Sequence, residues 1–183
     1  MTLQGTADKI RRLMPTDPPH PVYPLRLAKT GEVIEGDKRF DEMKRLTGLL
    51  LDYTGKLHYK LSFNYDDSGQ CYIESEIKAC LTMECQRCLE PFSFELNKQS
   101  KLGVIVSSDD SKSLDSHYEP VILDEEKLEL NGLVEDELLL AMPLAPLHLM
   151  NDCPGQAELK RINAEARLKP FSVLSKLMKS KDN

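Results

Sequence analysis

The sequence has no tryptophan, and its aromatic residues amount to 6% of the chain. None of its strand-like stretches carries the aromatic pattern on which single-stranded RNA modules stack bases. No apolar run approaches the roughly 20 residues that span a bilayer. The opening Met-Thr-Leu-Gln-Gly-Thr-Ala-Asp-Lys-Ile lacks the apolar centre of a secretory signal. There is no Gly-rich phosphate loop, no Gly-x-Ser-x-Gly elbow and no internal repeat. These absences predict a soluble cytoplasmic protein with no membrane partner, and they argue against an enzyme. Five cysteines, an odd number without an export signal, argue against a disulfide framework and for reduced thiols or metal ligation.

What is present is unevenly charged. The net charge of −6 resolves into 14 Lys+Arg against 15 Asp+Glu over residues 1–100, 3 against 12 over 101–157, and 7 against 3 over 158–183. A basic tail suits a phosphate backbone and an acidic stretch repels one. Prolines 15, 18, 19 and 21 remove backbone donors near the start. The expected organisation is therefore an extended N-terminal arm over 1–22, a single core domain over 23–157, and a basic tail over 158–183 with a short docking helix after Pro170.

Within the core, Val22–Ile34 reads as extended and broken near Gly31, and Asp37 offers an N-cap to a short helix through Phe40, Met43 and Leu46. Residues 57–65 alternate apolar and polar, the period of a strand with one buried face. Asp66-Asp67-Ser68-Gly69 supplies a turn, and the odd positions from Cys71 to Cys85 form a second inner face. Phe92, Phe94 and Leu96 alternate again, Leu102–Val106 can pair, residues 107–118 read as an exposed loop, and Glu119–Leu123 is extended. Asn131 can cap a helix through Ala141 that Pro143 and Pro146 end. The predicted fold class is α+β, an antiparallel β-meander with flanking helices.

The Cys85-Gln86-Arg87-Cys88 turn is the first half of a zinc knuckle, because two-residue spacing lets both thiolates reach one tetrahedral ion. Cys153 and His148 are the remaining candidates for a Cys₃His set; the competing reading makes the thiols small packed residues. Thiol–disulfide exchange needs a helix directly after the first cysteine, where Phe92-Ser93-Phe94 implies a strand. Cys71 is expected in the core and Cys80 on the outer face. Glu135-Asp136-Glu137 reads as solvated partners of a helix dipole rather than an acid–base or magnesium site. Lys160, Arg161, Arg167, Lys169, Lys176, Lys179 and Lys181 are the candidate RNA-binding residues, each able to neutralise a phosphate.

Several segments fall in a recognisable order: Glu84-Cys85-Gln86-Arg87-Cys88, then Leu133–Ala141 running into Pro143-Leu144-Ala145-Pro146-Leu147-His148, then Cys153, then Lys169-Pro170-Phe171-Ser172-Val173-Leu174. Together they resemble the bacterial YceD family over roughly residues 50–178. By position, Cys85, Cys88 and Cys153 match that family's cysteines and His148 its histidine. Some relatives carry more cysteines near position 153, where this chain has one. The resemblance implies a non-enzymatic ribosome-biogenesis factor that supports synthesis, processing or accumulation of large-subunit (23S) ribosomal RNA. Its partners would be that RNA, its precursor, or pre-ribosomal proteins. The alternative is a zinc- or thiol-dependent adaptor or redox protein.

Overall fold

The structure is a computed structural model that describes residues 21–149 and 152–165. The N-terminal arm up to residue 20 and the helix expected after Pro170 lie outside the described residues. Two compact units emerge. Among the described residues, the first takes 21–83 and Ser93–Leu144, and the second takes Glu84–Phe92 with 145–149 and 152–165.

The first unit is built on an α+β plan. Helix α1 (Pro24–Thr30) precedes β1 (Val33–Arg39), two 3-10 turns (Phe40–Glu42 and Lys44–Leu46), β2 (Lys56–Tyr65), β3 (Cys71–Glu84), β4 (Pro91–Ile105), β5 (Glu119–Ile122) and α2 (Leu130–Ala141). The five strands lie in sequence order in one sheet. β1 runs antiparallel to β2 from Val33↔Ser62 to Arg39↔Lys56, and β2 antiparallel to β3 from Leu57↔Ala79 to Tyr65↔Cys71. The turn between β2 and β3 is organised by Asp66, whose carboxylate accepts from the N–H groups of Ser68 and Gln70 at 2.9 Å and from the Ser68 hydroxyl at 2.7 Å. The alternation read from the sequence holds: Leu57, Tyr59, Leu61 and Phe63 on β2, and Cys71, Ile73, Ile77, Leu81 and Met83 on β3, are buried. Each Leu, Ile, Phe or Met among them contributes about 1.5–3 kcal/mol by leaving water.

Two local expectations are corrected, and the direction of β5 is added. Residues 24–30 are helical, not extended: Pro24 opens α1 where its missing N–H costs nothing, and Gly31 closes it at φ 64. Asp37 caps no helix. It lies on β1, where Lys56 Nζ donates to it at 2.5 Å and His58 Nδ1 lies 3.0 Å away, while Phe40, Met43 and Leu46 are buried from 3-10 turns. β5 runs parallel to β4, from Leu102↔Glu119 to Ile105↔Ile122, so the sheet is not wholly antiparallel. The polar stretch after Ile105, including a 3-10 turn at Ser108–Lys112, carries the chain back before β5 begins.

Helix α2 also departs from the expected pattern. Its N-cap is Glu129, Asn131 lies within the first turn, and that turn holds no acidic residue. Glu135 and Glu137 are buried. The Arg45 backbone N–H donates to Glu135 at 2.7 Å, and Glu137 takes the Ser100 hydroxyl and Lys98 Nζ, the latter at 3.3 Å. Specific donors therefore hold these carboxylates, not solvent and a helix dipole.

Candidate metal centre

The second unit begins at Glu84, the last residue of β3, and Cys85 leaves the strand pattern. The Cys85 N–H donates to the Glu90 carbonyl at 3.0 Å, and the Leu89 N–H to the Cys85 carbonyl at 2.8 Å, closing a tight knuckle around Gln86, Arg87 and Cys88. Leu89 takes φ 61, a left-handed conformation that L side chains resist, so closing this loop overcomes local strain. The Gln86 N–H donates to the Pro146 carbonyl at 2.9 Å, which brings the following Leu147-His148 alongside. The His148 ring packs on Phe92 with centroids 4.9 Å apart.

Cys153 enters from the other side, just before helix α3 (Gly155–Glu165). Gly155 admits the close approach: a Cβ there would meet the Cys88 Cβ at 3.1 Å and the Arg87 carbonyl oxygen at 3.4 Å. Arg87 Nη1 donates to Gln156 Oε1 at 3.0 Å, tying the knuckle to the first turn of α3.

The outcome is a convergence of Cys85, Cys88, His148 and Cys153, whose ligand atoms all lie within 4.8 Å of one another. Cys88 Sγ is 3.4 Å from His148 Nδ1. Around a tetrahedral ion with ordinary bond lengths, a sulfur and a nitrogen sit roughly 3.5 Å apart, so this edge is already formed. Burial pushes the Cys85 thiol up, but the backbone N–H groups of His148, Arg87 and Cys88 and the His148 side chain outweigh it and hold the thiol at about 5. The His148 N–H lies 3.5 Å from that sulfur. Burial raises Cys88, and its Cys85 and Cys153 neighbours raise it further. One sulfur is thus ready to bind as a thiolate at neutral pH, while Cys88 would release a proton to a metal. These four residues can hold a metal ion.

The sequence named all four donors and left open whether they meet; the structure brings them together. Phe92, Gly155 and Gln156, which shape the site, were not singled out, although the Pro154-Gly155 pair is a local signal for a break before a new helix. Cys71 is buried, with its thiol pushed up to about 11 by that burial, and Cys80 is exposed, as their strand faces predict. Of the seven basic candidates, Lys160 and Arg161 lie exposed on α3, a helix the sequence reading had not placed, and Arg161 pairs with Glu158 at 2.6 Å. Arg167, Lys169, Lys176, Lys179 and Lys181 lie outside the described residues.

No helix among the described residues is long and apolar enough to cross a membrane. Fold and donor set together define a small α+β protein with a cysteine–histidine knuckle able to bind a metal. Residues 73–178 match the family described as "Large ribosomal RNA subunit accumulation protein YceD", and the chain belongs to that family. A relative from Haemophilus influenzae bearing the same description is 28% identical over 165 residues, covering 87% of this chain and 95% of the relative. No solved structure matches the chain.

Proposed function

We propose that this protein is a non-enzymatic ribosome-biogenesis factor that supports accumulation of large-subunit (23S) ribosomal RNA, with a structural zinc ion held by Cys85, Cys88, His148 and Cys153. The observation that carries the reading is family membership over a stretch containing all four donors. Three sulfurs and one imidazole are a donor set suited to zinc, and four protein ligands leave no open position for substrate. The metal would then act by fixing the loop, and function would lie on the surfaces the loop presents. Lys160 and Arg161, with the basic positions that follow in the sequence, are the surface proposed to contact the RNA, its precursor or a pre-ribosomal protein.

The second reading, a thiol-dependent redox protein or adaptor, draws on the depressed Cys85 thiol. The gathering of Cys153 and His148 on the same point favours metal, since a dithiol needs neither. Depletion of the protein, with quantification of precursor and mature large-subunit RNA, tests the first reading. Mature RNA is expected to fall, with rescue by the wild-type chain and not by Cys85→Ser/Cys88→Ser. Unchanged precursor and mature levels on depletion would overturn it.

A further inference from the structure

A second surface lies within the first unit. β5 and α2 line a groove of about 680 Å³. Its apolar side chains include Ile122 and Leu140, which remain 56% and 70% exposed, together with Val121 and Leu139. These aliphatic side chains offer an occupant of the groove apolar contacts. Six carboxylates line it, those of Glu119, Asp124, Glu125, Glu129, Asp136 and Glu137, against two lining cations, Arg45 and Lys127, and Lys98, which pairs with Glu119 and Glu137. Both lining cations are engaged: Arg45 pairs with Asp136, and Lys127 with Glu125 at 2.9 Å. Asp124 and Glu129 make no ion pair among the described residues. The field over the groove is therefore negative, which repels nucleic acid and attracts a cationic partner.

The backbone narrows the choice further. The Leu123 N–H donates to the Ile105 carbonyl, so in a parallel ladder the alternate positions Pro120 and Ile122 face outward. Pro120 offers no donor there, which guards this edge against a sixth strand. An occupant would be held through its side chains. The rim is also built at a conformational cost: Glu125 and Glu126 take φ 47 and 63 in the two-residue turn between Asp124 and Lys127, where glycine or asparagine would sit without strain. The turn nonetheless carries two carboxylates.

We propose that the groove between β5 and α2 docks a lysine- or arginine-rich segment of another protein, anchored by aliphatic side chains on Ile122 and Leu140. The test places a photoreactive residue at position 140 of the full chain, irradiates cells, and sequences the crosslinked peptides. The expected product is a peptide of another protein rich in Lys and Arg, with yield falling about tenfold when Glu119→Lys and Glu125→Lys are introduced together. Both sites are exposed, so the pair is compatible with the fold. Glu125→Gly supplies an independent arm: it relieves the turn, so the thermal midpoint rises while crosslinking falls. Crosslinks to RNA, to this chain's own peptides or to neutral or acidic segments would overturn the proposal. So would an absence of crosslinks, or a yield indifferent to these substitutions.

Discussion

In the first unit Leu57, Leu61, Phe63, Ile73, Ile77 and Leu81 are each essentially sealed from water, and the work of holding the sheet is divided among them. In the second unit the buried residues among those described are Cys85, Pro146 and Cys153, two of them candidate ligands. Its larger aliphatic residues, Leu89, Leu147, Leu149, Leu159 and Ile162, remain exposed. Among the described residues, one region thus has a hydrophobic core in the ordinary sense, and the other buries almost no aliphatic side chain. A segment that cannot bury enough apolar surface needs a staple, and four convergent donors can supply one. The comparison teaches where metal dependence should reside: in the loop and the start of α3, not in the sheet.

The sharpest way to break this contrast is to deny the four donors the proposed metal. Chelation of the purified protein, or Cys88→Ser, should strip amide-exchange protection from residues 85–90 and 153–160 while β2 and β3 keep theirs; structural zinc sites contribute on the order of 10 kcal/mol. Equal loss in both regions would erase the distinction. Next in size, Phe63→Ala should destabilise the sheet by about 3–5 kcal/mol in denaturant titration and leave metal content unchanged below the transition. A smaller effect is expected of Gly155→Ala, which crowds Cys88 and should cost about 1–2 kcal/mol, seen as a lower thermal midpoint of the metal-bound form. The smallest concerns the β2–β3 turn. Hydrogen bonding from the Ser68 hydroxyl, the Gln70 and Ser68 N–H groups and the Tyr118 hydroxyl outweighs burial and holds the Asp66 carboxyl at about 2, below its usual 3.8. A depressed carboxyl contributes stability above its unfolded value and loses it as pH falls through the folded one. Asp66→Asn should therefore be less stable than wild type at pH 7, with the gap closing between pH 3.8 and about 2 in acid titrations.

Those two regions were also unequally legible in the sequence. Period-2 alternation from Leu57 to Tyr65 and from Cys71 to Cys85 directly reports a half-buried sheet, so β2, β3 and their core face could be read by inspection. The extended reading of Val22–Ile34 misses helix α1, although Pro24 at the helix start and Gly31 just past its end are boundary signals. The parallel direction of β5 depends on how a long polar stretch returns, which local pattern does not encode. Glu135 and Glu137 looked solvated because their partners, the Arg45 backbone and Ser100 and Lys98, are remote in sequence. The same distance obscured the metal centre. Cys85 and Cys88 announce themselves by spacing, whereas the approach of His148 and Cys153 rests on the Gln86–Pro146 hydrogen bond and on the room left by Gly155.

Native mass spectrometry of the full chain, purified under reducing conditions without added metal, measures directly whether the second unit is built on an ion. The account predicts one zinc per chain, lost on chelation and absent from the Cys85→Ser/Cys88→Ser variant. A metal-free chain whose residues 85–90 and 153–160 are as protected from amide exchange as the sheet would contradict it.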